Sequence, residues 1–86
     1  MYVVAVYDVE ADRTRIMLKF FRRYLTHVQN SVFEGRVTEG ELQEIRGFVD
    51  EALEDDESVI LYELSSESLI DRTVYGEDPA EDQRFL

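Results

Sequence analysis

Two apolar stripes at helical spacing, each flanked by runs of β-forming residues, leave this 86-residue chain few folds to choose from. The first run, Tyr2 to Asp8, is built from β-branched and aromatic residues and ends in a carboxylate, the pattern of a buried strand. Ile16, Met17, Phe20, Phe21 and Tyr24 then recur at i, i+1, i+4, i+5 and i+8, which predicts a helix over 11–25 with Asp8 or Asp12 near its positive end. From His27 to Val37 β-formers return, with Asn30-Ser31 as a turn signal and Gly35 as a bulge position. Thr38-Glu39-Gly40-Glu41 matches a capping box, in which Thr and Glu satisfy each other's orphan amides. Leu42, Ile45, Phe48, Val49, Ala52 and Leu53 stripe a second helix, and the acidic run Glu54 to Glu57 ends it. Ser58 to Leu64 reads as a further strand, and a short extra segment lies near Thr73-Val74-Tyr75.

The order β-α-β-β-α-β predicts an α+β fold, a ferredoxin-like plait with a short extra C-terminal strand. Both helices then cover one face of an antiparallel sheet, and the opposite face needs a cover of its own. Chains this short bury only about 60% of their unfolded surface. Without cysteine there is no disulfide or thiolate metal site to compensate. Oligomerisation is one remaining route to stability, which makes a dimer plausible. The expected organisation is one domain over 1–76 and an acidic tail over 77–86, too polar to pack and expected to be disordered. Within that tail Phe85-Leu86 reads as a frayed end or as an anchor on a partner. No apolar run approaches the roughly 20 residues that span a bilayer, and the N-terminus carries no basic region of a signal peptide. A cytoplasmic protein with no membrane partner is expected.

Charge is unevenly spread along the chain. Up to Phe33 five bases (Arg13, Arg15, Lys19, Arg22, Arg23) face three acids, whereas seventeen acids and four bases follow, for a net charge of −11. A surface so rich in Asp and Glu, with one lysine among nine bases, suits a host with molar intracellular salt. Such acidity opposes nucleic-acid binding in general. It makes the single basic cluster the more informative, because arginines in the first helix suit bidentate contact with phosphate. A solvated helix face is the alternative.

Asp8 carries the most chemical interest. A carboxylate at the C-terminal end of the first strand, beside a helix start, suits a hard cation such as Mg2+, through which it would position water or clamp a phosphate. It equally suits a helix cap or a solvated turn. One carboxylate is too few for a good site unless two copies of Asp8 meet across a dimer axis. His27 is the only histidine and has no catalytic companion nearby, so it reads as a strand-edge residue. No glycine-rich phosphate loop, HExxH pair or nucleophile elbow occurs.

Three blocks carry a resemblance: Tyr2-Val3-Val4-Ala5-Val6-Tyr7-Asp8-Val9, Asp12-Arg13-Thr14-Arg15, and Val28-Gln29-Asn30-Ser31-Val32-Phe33-Glu34-Gly35. Together they resemble the CRISPR-associated protein 2 family, over roughly residues 1–76. The resemblance implies a ferredoxin-like homodimer in which Asp8 of both subunits face each other near the axis. It also implies a role in spacer acquisition, bridging the CRISPR integrase and holding a double-stranded DNA prespacer. The alternative it implies is a metal-dependent endonuclease on RNA or DNA, with Asp8 as catalytic residue and Mg2+ ligand. Carried onto matching positions, Tyr7 joins Asp8, Arg13 and Arg15 bind phosphate with Lys19, Arg22 and Arg23 beyond them, and Tyr7, Ser31 and Phe33 shape the dimer cleft. His27 stands where many members carry a base. That departure and the net acidity favour the scaffold over an independent nuclease. A toxin-like ribonuclease of a related ferredoxin-like family is a third reading.

Overall fold

From Val3 to Asp8 the chain alternates between two environments, and that alternation organises the molecule. In the computed structural model, which describes residues 1–80, this segment lies in strand β1 (Tyr2–Asp8). It is followed by a 3-10 turn (Ala11–Arg13), α1 (Thr14–Phe21), β2 (Thr26–Gln29), β3 (Val32–Arg36), α2 (Glu39–Ala52), β4 (Ser58–Leu64) and a second 3-10 turn (Glu67–Leu69). The strands form one sheet in the order β2-β3-β1-β4 with every neighbouring pair antiparallel. This is the ferredoxin-like βαββαβ plait.

Successive side chains of a strand point to opposite faces. Val3, Ala5 and Tyr7 therefore point one way, into a core they share with Met17 and Phe21 of α1, Leu42 and Ile45 of α2, and Phe33 of β3. Tyr7 stacks on Phe21 with ring centroids 6.0 Å apart and on Phe33 at 6.3 Å. The Phe20 and Phe48 rings stack face to face at 3.7 Å and join the two helices. Each large side chain buried in this way contributes about 1.5–3 kcal/mol relative to exposure.

The predicted elements form, with shifted ends. The first helix is shorter than 11–25: it opens as a 3-10 turn, and after Phe21 the chain winds down through Tyr24 N–H to Phe21 O and Leu25 N–H to Phe21 O. That turn drops Leu25 into the core before β2 begins. The capping box of α2 forms as read, with Glu41 N–H donating to Thr38 Oγ1 at 3.1 Å and Thr38 N–H donating to Glu41 Oε1 at 2.9 Å. Asn30 makes the hairpin turn with φ +41°, but the irregular register lies between His27 and Gln29 on β2 rather than at Gly35. Gly35 serves close approach instead, since a Cβ there would sit 3.4 Å from Leu25 Cδ2.

The extra strand expected near residues 73–75 does not form, and the sheet among the described residues has four strands. A strand needs a ladder partner. Here the segment is held by side chains instead: Arg72 donates to Glu34 at 2.6 Å and, through both terminal nitrogens, to the Asp78 carboxylate at 2.9 Å. Of the expected acidic tail, Asp78 is thus tied back to the domain, while residues 81–86, including Phe85-Leu86, lie outside the described residues. Among the described residues no helix is long and apolar enough to cross a membrane.

Candidate functional site

Asp8 closes β1 on the sheet face that the helices leave open. Its neighbours on that face follow from register: Val6 opposes Val32 and Ile60, Val4 opposes Glu34 and Tyr62, and Asp8 itself opposes Ser58. Directly opposed side chains of antiparallel strands lie about 5 Å apart on one face. Val4, Val6, Val32, Ile60 and Tyr62 therefore form a continuous apolar surface with Asp8 exposed at one end. Ile60 and Tyr62 are 49% and 57% exposed, although each belongs to a strand whose alternate residues pack on the core. Tyr2, at the far end of the same face, is covered by the returning C-terminal segment; burial, with Glu34 close by, raises its hydroxyl pKa.

The residues grouped with Asp8 in the sequence do not gather around it. Tyr7 and Phe33 point to the other side of the sheet and lie in the core, 3% and 0% exposed. They line no open cleft in this chain, because period-two alternation puts Tyr7 on the face opposite Asp8. The Tyr7 hydroxyl is buried with no hydrogen-bond partner among the described residues, and burial raises its pKa. Ser31 does lie at the Asp8 end, where its carbonyl accepts from Tyr7 N–H at 3.1 Å.

Among the basic residues, Arg13 differs from the rest. Its Nε donates to Glu57 at 2.7 Å, a terminal nitrogen donates to the Ala52 carbonyl at 2.5 Å, and Glu54 lies 3.3 Å away. Glu57 in turn accepts from Glu10 N–H and Glu54 N–H, and its side chain is only 1% exposed. Arg13 first, then these amides, hold the Glu57 carboxyl down at about 2. This staple fastens the loop after Asp8 to the end of α2 and the start of β4. Sequence gave no local signal for it, because Arg13 and Glu57 are 44 positions apart. Arg15, Lys19, Arg22 and Arg23 are exposed along α1 and the turn after it, on the helix side of the sheet. Arg15, Lys19 and Arg22, at i, i+4 and i+7, share one stripe. A single chain thus presents its cations and Asp8 on opposite faces. His27 stacks on Phe33 at 4.7 Å and lies within hydrogen-bond distance of the Asn30 carbonyl, as befits a strand-edge residue.

A four-stranded plait with a carboxylate at the tip of β1, an apolar open face and a basic first helix defines the class: a small α+β protein of ferredoxin-like fold. The chain belongs to the family described as CRISPR associated protein Cas2, whose model matches residues 1–71. A protein of Haloferax volcanii named CRISPR-associated endoribonuclease Cas2 is 38% identical over 85 residues, covering 99% of both chains. One of the same name from Thermococcus kodakarensis is 44% identical, covering 95% of this chain and 98% of its own. Among solved structures, a crystal structure of Cas2 superposes with a TM-score of 0.81 at 36% identity, covering 91% of this chain and 88% of that one. Streptococcus pyogenes Cas2 superposes at 0.69 with 28% identity, over 86% of this chain and 100% of that one. The role of this chain is accordingly the family's role in CRISPR adaptation.

Proposed function

We propose that the chain acts as a homodimeric subunit that bridges the CRISPR integrase and holds double-stranded prespacer DNA during spacer acquisition. The observation that supports this best is the exposed apolar face of the sheet. A two-fold pairing through Val6, Ile60 and Tyr62 would bury that face, bring both copies of Asp8 near one axis, and leave the two basic α1 stripes on the outer surfaces. Two separated cationic stripes suit one duplex, with Arg15, Lys19 and Arg22, and Arg23 beside them, releasing counterions from its phosphates. Arg13 supports the helix in this reading and does not reach the ligand.

A second reading has its own support. The relatives are named endoribonucleases, and Asp8 is exposed at a strand end. Among the described residues no three potential ligands cluster in one chain, so each copy offers Asp8 alone. Mg2+ or another divalent cation fits this donor set only between two copies, held by both Asp8 carboxylates. Such a cation would neutralise charge at a bound phosphate. Asp8 is then the residue on which hydrolysis of RNA or DNA depends.

One experiment separates the readings: co-purification with the integrase and a short duplex in molar potassium chloride, for wild type and Asp8→Ala in parallel. Scaffolding predicts that both proteins form the complex and support integration. The absence of any complex, together with nucleic-acid cleavage by wild type but not by Asp8→Ala, would replace it with the nuclease reading.

A further inference from the structure

The helix layer carries a second apolar surface, remote from the open sheet face. Ile16, Phe20 and Phe48 line a groove of about 370 Å³ between α1 and α2, with Lys19 and Arg23 on its rim. The other large apolar side chains exposed among the described residues lie on the open sheet face or after β4, whereas Ile16, 45% exposed, stands on the helix layer. Ile16, Lys19, Phe20 and Arg23 fall at i, i+3, i+4 and i+7, one stripe about two turns long. Neither Lys19 nor Arg23 pairs with a carboxylate among the described residues, although the chain carries twenty acids. Arg23 instead lies over the rings of Phe20 and Tyr24, at 5.8 and 5.4 Å from their centroids. The Glu44 carboxylate of α2 accepts from the Tyr24 hydroxyl.

A nucleic acid makes poor use of this groove. Phosphate gains nothing from an apolar floor, and the Phe20 ring is covered by Phe48 at 3.7 Å, which leaves no free face for a base to stack on. A groove between two helices, apolar along its floor and charged at its rim, is the form that takes the apolar face of an amphipathic helix. Charge selects among such helices. The charged side chains lining the groove are both cations, in a chain of net charge −11. We propose that the groove docks an amphipathic helix of a partner protein, with large apolar side chains seated on Ile16, Phe20 and Phe48 and Asp or Glu on the flank that meets Lys19 and Arg23. Complementary charge at this rim orients the helix, and acts against the repulsion of the rest of the surface. The docking does not rest on the nucleic-acid role of α1. Where α1 has that role, the partner helix and a duplex compete for Lys19 and Arg23.

The probe is a capped peptide of about three helical turns, with leucines along one face, glutamates on one flank and glutamines on the other; its twin carries lysine at every glutamate. A surface of net charge −11 attracts the basic twin and repels the acidic peptide, so a preference for the acidic one comes only from local cations. In fluorescence anisotropy at low salt, the full-length chain should bind the acidic peptide several-fold more tightly, with amide shifts at Ile16, Lys19 and Phe48 and none at Val6, Ile60 or Tyr62. Ile16→Ser should weaken that binding several-fold. Lys19→Glu with Arg23→Glu should reverse the order of the two peptides, with shifts at the same positions, a gain that a misfolded chain does not produce. Arg15→Glu with Arg36→Glu, equal in charge but off the groove, should keep the wild-type order. Tighter binding of the basic twin by wild type, an order unchanged in the Lys19 and Arg23 variant, or shifts confined to the open sheet face would overturn the proposal. So would self-association that Ile16→Ser abolishes, which would give the groove to a second copy. A short DNA duplex should displace the acidic peptide; binding of both together would leave the groove with its helix and remove Lys19 and Arg23 from the nucleic-acid surface.

Discussion

The two faces of the sheet are built from the same kinds of residue and end in opposite states. On the helix face Val3, Ala5 and Tyr7 meet two amphipathic helices and disappear from solvent. On the open face Val4, Val6, Ile60 and Tyr62 are equally apolar, yet no element among the described residues covers them. A strand such as β1, apolar at every position up to Asp8, is the pattern of a strand covered on both sides. One cover is intramolecular; in the proposed homodimer a second copy supplies the other. The comparison teaches that β1 carries two apolar faces at once, one used in folding and one that the proposed pairing would use.

Substitutions on the two faces should therefore behave differently. Phe33→Ala opens a cavity among Tyr7, Phe21 and His27 and should cost about 3–5 kcal/mol, most of the stability of a small domain. Urea unfolding at a single protein concentration measures it. Ile60→Lys, on the open face, should leave secondary structure intact but abolish self-association in sedimentation equilibrium. Unfolding of Ile60→Lys at dilutions where wild type is monomeric and folded would break the distinction between the faces.

The next largest effect belongs to the staple beneath the Asp8 loop. The carboxyl of Glu57 is held at about 2 against an ordinary 4.5. Its contribution is therefore complete above pH 4.5 and is lost as pH falls toward 2. Glu57→Gln should lower the melting temperature at neutral pH and flatten the loss of stability between those two values. Equal slopes for the variant and wild type in that window would mean that the Arg13 contact does not report on folding.

Tyr7→Phe tests the assignment of Tyr7 to the helix face, with a smaller effect of opposite sign. Removing a buried hydroxyl that lacks a partner should leave stability unchanged or raise it by about 1 kcal/mol, since the desolvation penalty of the orphaned group goes with it. The same variant should leave metal or nucleic-acid binding at Asp8 unaltered. A loss of such binding without a change in stability would return Tyr7 to the site.

These cases show what was legible in the sequence and what was not. The stripes Ile16 to Tyr24 and Leu42 to Leu53, the capping box at Thr38 and the strand runs up to Leu64 are local signals, and each became the expected type of element, with shifted ends. The grouping of Tyr7 and Phe33 with Asp8 came from the family resemblance, which matches positions along the chain. Nearness in sequence does not say which face a side chain takes, and adjacent strand residues always take different ones. Arg13 belongs to the helix charge pattern by spacing, yet its partners lie 39 and 44 positions away. Only the closed sheet brings them together.

The smallest effect concerns the second ionic cluster, which differs from the first mainly in exposure. Arg72 joins Glu34 and Asp78 with side chains 34%, 18% and 50% exposed, where the carboxylate at Arg13 is 1% exposed. Exposed pairs are screened once the Debye length shrinks to about 3 Å at molar salt, and they contribute little to global stability. Arg72→Ala should leave the unfolding midpoint almost unchanged but speed amide exchange in the segment after β4. Molar potassium chloride should give wild type the same fast exchange there while the Glu57 amide contacts stay protected. Were wild-type protection of that segment to survive molar salt and vanish only in Arg72→Ala, the attachment would be geometric, a fixed part of the domain, and the contrast between the buried and the exposed cluster would fail.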